Sequence, residues 1–386
     1  MRLRLTIIIF GILFLITSET SAQSHKKRLV RGLWVVRHTL TTPGSIDKML
    51  QLSRQCGITD LFVQVRGRGD AYYRSSLEPK AKSIPDSTFD PLDYLLQQNR
   101  SDSIRIHAWL NVFYVWSKDS LPGDRNHIVN RNGHWLARSS VYPDLLNDYP
   151  RSVKRAHVEG LFISPLQQQA QQNFLDILSD LLRHYSIDGI HLDYIRYPGP
   201  DFDIHPDVVK GFRRRYVLNP SQFLANPESF AGKFSIAGYE SFYFYWRKYL
   251  MDGLSDYVRK IADQVRKESP GILITAAVKP DIARARWDYY QDWQRWIQSG
   301  WLDYAIPMNY SPDSSIFNKR LRTYSRKIPP QKYLIGIALY NQSSDKAMRK
   351  IDRVTELENA GFVLFSYNQL RDQPALIDYL KSWNGK

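Results

Sequence analysis

Asp188-Gly-Ile-His-Leu-Asp-Tyr-Ile-Arg-Tyr-Pro198 reads as one short buried strand running into a loop. Asp188-Gly189 is a turn signal that ends the element before it. Ile190 and Leu192 then alternate with His191 and Asp193. Residues two apart in a strand share a face, so His191 and Asp193 point the same way. Pro198-Gly199-Pro200 stops the strand soon afterwards. A carboxylate inside such a strand needs a partner or a purpose, because burying an unpaired charge is costly. Asp193 therefore falls near a strand's C-terminal end, where barrel enzymes carry their catalytic groups. The plainer alternative is a buried aspartate that caps the loop or pairs with Arg196.

Seven similar apolar runs surround this one, at 32–36, 61–65, 104–110, 272–278, 302–308, 333–339 and 362–367. Helical spacing predicts helices at 46–56, 91–99, 239–267, 288–299 and about 347–359. Another runs to Tyr185 from Ser164-Pro165, a serine cap followed by proline at the first helical position. Five of the seven intervals between runs are roughly 30–45 residues, the size of one βα unit. The other two hold long insertions, at about 114–162 and 197–237. Eight buried strands alternating with helices predict an α/β fold, a (β/α)8 TIM barrel with long insertions after strands 3 and 4. A doubly wound sheet is the alternative. Its usual glycine-rich turn has one candidate, Arg66-Gly-Arg-Gly-Asp70, which lacks the third glycine.

Residues 1–22 read as a secretory signal: Arg2 and Arg4, an apolar stretch over 5–16 too short to span a bilayer comfortably, then Thr20-Ser21-Ala22. Residues 23–386 would then form a single domain, exported to the periplasm or secreted. Cys56, the sole cysteine, lies in an amphipathic segment and reads as a small buried hydrophobe. No cysteine follows the signal for lipid attachment. The net charge of +15 becomes +14 once Arg2, Arg4 and Glu19 are removed with the leader. Such a charge favours an anionic partner, an acidic glycan or an anionic envelope surface. Export argues against nucleic acid, and the basic residues are dispersed apart from 25–28 and 213–215.

In a barrel, function gathers where strands end. Those positions hold Arg37 and His38, Arg66 and Asp70, Asn111, Asp193 and Arg196, Lys279, Asn309 and Tyr310, Tyr340, and Tyr367. The strand-start acids Asp60, Asp188 and Asp303 fall at the opposite end and read as turn or cap residues. Two rim carboxylates, Asp193 and Asp70, could supply the pair that glycoside hydrolysis needs. Arg196 would keep Asp193 ionised, which suits a nucleophile or base, and Asp70 is the candidate acid. Strand five ends in Lys279 rather than a glutamate. The chain carries 10 Trp, 24 Tyr and 17 Phe, many at strand ends and in the insertions, where flat faces with polar tips suit sugar rings. No zinc-ligand spacing and no G-x-S-x-G motif is present, so no metal or other cofactor is expected.

Several motifs together resemble the bacterial glycosyl-hydrolase-like 10 family. They are Arg31-Gly-Leu-Trp34, Gln64-Val-Arg66 with Gly69-Asp-Ala-Tyr-Tyr73, His107-Ala-Trp109, Asp188-Gly-Ile-His-Leu-Asp193 with Tyr197-Pro198, Gly300-Trp-Leu-Asp-Tyr304 with Pro307 and Tyr310, and 361–367. The resemblance implies an exported (β/α)8 glycosidase acting on a cell-envelope polysaccharide, with peptide-free peptidoglycan strands as one substrate of the family. By motif, Arg66, Asp70 and Asp193 would lie in its site. The second acid often found after the strand-four aspartate is Tyr194 here. The leading expectation is thus a glycoside hydrolase in which Asp193 and Asp70 are catalytic. Arg66, Asn111, Arg196, Asn309, Tyr310 and Tyr340 would bind the polysaccharide. A non-catalytic glycan-binding protein on the same barrel and a metal-dependent hydrolase are the rivals.

Overall fold

The computed structural model describes residues 29–101, 104–357 and 359–383; the leader expected at 1–22 lies outside them. Its strands are β1 (Val30–Val35), β2 (Asp60–Arg66), β3 (Arg105–Asn111), β4 (Tyr114–Trp116), β5 (Leu161–Phe162), β6 (Gly189–Asp193), β7 (Leu273–Val278), β8 (Tyr304–Pro307), β9 (Ile335–Ala338) and β10 (Gly361–Phe365). Eight of them form one parallel sheet in the order β8-β7-β6-β3-β2-β1-β10-β9. The edges β8 and β9 meet through two isolated parallel bridges, Ala305 to Tyr333 and Met308 to Gly336. The sheet is thus nearly closed into a barrel, with helices around it. Every apolar run expected to be a barrel strand is one. The short β4 and β5 pair antiparallel within the first insertion.

Alternation along the strands separates two apolar sets. Leu33, Val35, Leu61, Val63, Ile190 and Leu192 face the helices. Trp34, Phe62, Trp109, Ile306 and Val363 fill the barrel interior. His191 lies in that interior, fully buried. Trp34 Nε1 donates to its Nε2 (3.0 Å), which leaves Nδ1–H to donate to Thr275 Oγ1 (2.8 Å). Burial, reinforced by His107, holds its pKa well below the usual imidazole range, so it is neutral. His107 instead meets Asp60 (2.8 Å), which Arg105 also pairs. Neither ring points at the mouth. Cys56 is fully buried, as its segment predicts.

The strand-start acids tie neighbouring strands together at the base. Ile106 N donates to Asp188 Oδ2 (2.8 Å), and Ile274 N to Asp303 Oδ2 (2.8 Å). Two helix expectations are corrected. The helix placed at Ser164-Pro165 begins at Gln168, because Gln167 is the residue whose side chain caps it, accepting from Ala170 N (2.7 Å). The helix placed over 288–299 is split into Ile282–Asp288 and Trp293–Gln298. Tyr290 takes φ +53° between them, and Gln291 turns into the core. Its carboxamide accepts from Lys279 N (2.8 Å) and donates to Ile195 O (3.3 Å), which fastens the loop to the end of β7.

Candidate active site

The C-terminal ends of the strands open into a cleft of about 530 Å³. Asp193, the last residue of β6, lies in it and is 8 % exposed. The chain turns sharply there: Tyr194 takes φ +50°, and its N–H donates back to Asp193 Oδ1 (2.7 Å). Tyr194 lies flat on Tyr114, with ring centroids 4.5 Å apart. Trp34, Trp109, Tyr310, Tyr340 and Phe365 complete the aromatic lining, with Tyr310 stacked on Phe365 at 5.5 Å. A polar floor joins the turn after β1 to β2 and β3. Arg37 Nη1 donates to Gln64 Oε1 (2.9 Å), Gln64 Nε2 to Asn111 Oδ1 (3.3 Å), and Trp109 Nε1 to the same Asn111 oxygen (3.0 Å).

A second carboxylate reaches the cleft from the first insertion. Glu159 precedes β5, and the β4–β5 pair brings it back over the mouth. Arg196 Nη2 donates to Glu159 Oε2 (2.6 Å), and Lys279 Nζ stands 3.9 Å from Oε1. The Arg196 guanidinium is itself packed over Tyr194 (4.7 Å), Tyr289 (5.3 Å) and Phe162 (5.7 Å).

These surroundings drive the two carboxyls apart. Burial pushes Asp193 up to about 6, only partly offset by the Tyr194 N–H and by Arg196. Desolvation also acts upward on Glu159, but Arg196, Lys279 and the Tyr194 hydroxyl outweigh it and hold the group below its usual value. Lys279 is brought down to about 8 by burial and by Arg196. Two carboxyls with opposite shifts in one cleft can act as proton donor and ionised partner. Arg196 was expected to keep Asp193 ionised; its hydrogen-bonded ion pair goes to Glu159 instead.

The remaining expected site residues divide. Asn111, Arg196, Tyr310 and Tyr340 line the cleft with Asp193. Arg66 does not: it is 1 % exposed, and its guanidinium is bound by Glu78 (2.7 Å) and the backbone carbonyls of Asn111 and Val112. Asn309 is turned into the wall, donating to Phe317 O (3.2 Å) and accepting from Arg320 (3.1 Å). Asp70 lines an adjoining recess rather than the cleft, and its Oδ1 accepts from Arg68 N (2.8 Å). Gly69, at φ +70°, aims it there. Neither Glu159 nor Gln64 was among the expected site residues, although Gln64 belongs to the Gln64-Val-Arg66 motif. Gln64 carried a signal, a polar residue inside an apolar run on the inward face. Glu159 carried none, since only the fold of the insertion places it.

Residues 29–354 match the family described as glycosyl hydrolase-like 10. The glycosyl hydrolase YngK of Bacillus subtilis (strain 168) is 22 % identical over 287 residues, 68 % of this chain and 48 % of that protein. The glycosyl hydrolase DigH of Escherichia coli (strain K12) is 23 % identical over 322 residues, 76 % of this chain and 65 % of that protein. The chain thus spans about half to two thirds of the length of these curated relatives. Among solved structures, the PgaB (BpsB) glycoside hydrolase domain from Bordetella bronchiseptica has a TM-score of 0.67 at 12 % identity. That match covers 92 % of this chain and 98 % of that one. At such identity the likeness speaks for the fold alone, a TIM barrel. The family match, by contrast, runs from β1 into the last turn of the helix after β9, Ser344–Thr355, and on that ground the chain belongs to the glycosyl hydrolase-like 10 family.

Proposed function

We propose that this protein hydrolyses glycosidic bonds in a bacterial envelope polysaccharide, with Asp193 as general acid and Glu159 as its ionised partner. The observation that carries the reading is the opposite displacement of these two carboxyls within one aromatic-lined cleft at the barrel mouth. Protonated Asp193 delivers its proton to the glycosidic oxygen as the bond to the anomeric carbon breaks. Glu159 faces the positive charge that develops on the sugar and assists the incoming water. Arg196 and Lys279 keep Glu159 ionised. The sugar rings lie against Tyr194, Tyr310 and Tyr340, cleft aromatics that keep some exposure and whose flat faces match C–H-bearing ring faces. Asp70, the other candidate acid, holds its own loop through Arg68 N. The leader-like residues 1–22 and the +15 charge support export to an anionic envelope, and the family resemblance supports peptide-free peptidoglycan as substrate.

The test is reducing-end release from peptide-free peptidoglycan and from a panel of acidic and neutral glycans. Asp193→Asn and Glu159→Gln are each expected to lose roughly 10²–10⁴-fold in rate, the usual contribution of a positioned acid or base. Asp70→Asn should retain most of the activity. Full activity in Asp193→Asn would remove the assignment. The ion pairs already made by Glu159 favour one rival, a glycan-binding protein without turnover. Saturable binding with no release by the unmodified protein would establish that rival.

A further inference from the structure

Beside the cleft, and sharing Arg37 and Arg68 with it, lies a narrower recess of about 210 Å³. Its charge is one-sided. Arg37, Arg68, Lys82 and Lys118 line it, and Lys80 does too, although Lys80 already donates to Ser87 O (2.7 Å) and Phe89 O. The opposing carboxylates are Asp70 and Asp124, each with an oxygen already bound to local backbone, Arg68 N (2.8 Å) and Asn126 N (2.8 Å) respectively. Arg68 Nε is buried and has no hydrogen-bond partner among the described residues, an unusual state for a guanidinium N–H. Burial holds the imidazole of His38 in the same recess below its ordinary value, and the charges of Arg37 and Arg68 act in the same direction. His127 is occupied with Arg68 O (2.6 Å). Trp116 forms part of the wall, with Lys118 Nζ 5.6 Å from its ring. An indole beside several cations suits a sugar that carries an acidic group: the ring lies on the aromatic face and the oxyanion meets the guanidinium fork.

We infer that this recess is an anion subsite of the cleft, which takes a compact oxyanion, a carboxylate or a phosphate, borne by a sugar next to the one at Asp193. The inference rests on the glycan reading proposed above. It adds that the protein selects acidic glycans through Arg68, Lys82 and Lys118, groups remote in sequence from Asp193. Arg68 is the anchor, because its buried Nε has no hydrogen-bond partner among the described residues and an entering oxyanion supplies an acceptor.

Binding is measured at one fixed ionic strength with catalytically impaired Asp193→Asn protein, so that turnover does not intrude. The two ligands are peptide-free peptidoglycan strands and the same strands with their carboxylates amidated. The expected result is a preference of about tenfold or more for the carboxylated strands. In the added double variant Lys82→Gln/Lys118→Gln that ratio falls toward one. Both lysines are exposed, so the double variant should melt as its parent does. Arg68→Gln is the second variant, expected to reduce the ratio in the same direction. Equal affinity of the parent for both strands overturns the subsite while leaving the glycan reading intact. A preference that persists unchanged in both variants also overturns it. Failure to bind either strand overturns the glycan reading itself and the subsite with it. Lactate and inorganic phosphate, added as competitors, separate the two oxyanions: displacement by lactate alone assigns carboxylated sugars, displacement by phosphate alone assigns phosphorylated ones, and displacement by neither counts against the subsite.

Discussion

Asp193 carries a conflict between stability and chemistry that can be measured. Its pKa in the native protein, about 6, lies above the ordinary 3.8, so the native state binds this proton more tightly than the unfolded chain does. Its contribution therefore favours the native state in acid and is lost as pH rises from about 4 to about 6. A shift of two units corresponds to roughly 3 kcal/mol. Asp193→Asn removes the ionisation and keeps an oxygen to accept from Tyr194 N. The variant is expected to be more stable than its parent at pH 8, by up to about 3 kcal/mol, and nearly equal to it at pH 4. Thermal unfolding at the two pH values checks this; a parent that is the more stable at pH 8 refutes the burial argument. On the proposed reading the same proton also sets the rate. If Asp193 is the acid, kcat/KM falls as pH climbs through about 6, and the acid-side limb belongs to Glu159. Arg196→Met takes away the cation that opposes desolvation of Glu159, so the acid-side limb is expected to move to higher pH. An unmoved limb would separate Glu159 from catalysis.

At the scale of elements, the strands are pinned by small features at their N-terminal ends. Gly189 opens β6 directly against β3, and a Cβ placed on it would lie 2.0 Å from His107 Nδ1. His107 cannot yield easily, since its other nitrogen is bound to Asp60 in the barrel interior. Gly189→Ala is therefore expected to destabilise the fold by about 1–3 kcal/mol, as overpacked cores do. Asp188→Ala strands the buried Ile106 N–H and should cost about 1–3 kcal/mol without altering the cleft. Urea unfolding measures both. Such strands were legible in the sequence because apolar residues predominate in a buried barrel strand, and they do so in each of the eight runs, even where His191 and Asp193 alternate with Ile190 and Leu192. The split after Asp288 was not legible. Gln291 breaks the helix to satisfy Lys279 N and Ile195 O, partners that only the folded chain supplies. The candidate site divides in the same way. Asp193 follows from its position at a strand end, whereas Glu159 depends on a two-residue strand in an insertion folding back over the mouth. Arg66 looked like a ligand-binding residue because it ends a strand, yet Glu78, twelve residues on, takes its guanidinium.

A charge of +15 acts on a barrel whose mouth is a cleft. Arg37, Arg68, Arg196 and Lys279 line the cleft, against Glu159 and Asp193, and the last of these is partly neutral near pH 6. The mouth therefore shares the sign of the whole surface. Low-dielectric walls concentrate such a field and raise the encounter rate with an anionic chain. Surface charges separated by more than about 8 Å are largely screened at physiological ionic strength. The steering part of kcat/KM should consequently fall as salt is raised to about 0.2 M, and it should fall for acidic glycans only. A neutral oligosaccharide that is cleaved at all should show a nearly flat response over the same range. The comparison separates long-range attraction from the buried chemistry, because the Asp193 carboxyl, enclosed by the barrel mouth, is screened far less than the surface. Parallel salt dependence for acidic and neutral substrates would mean that salt acts on the protein itself. The positive charge would then have no part in capturing the glycan and would serve only contact with an anionic surface.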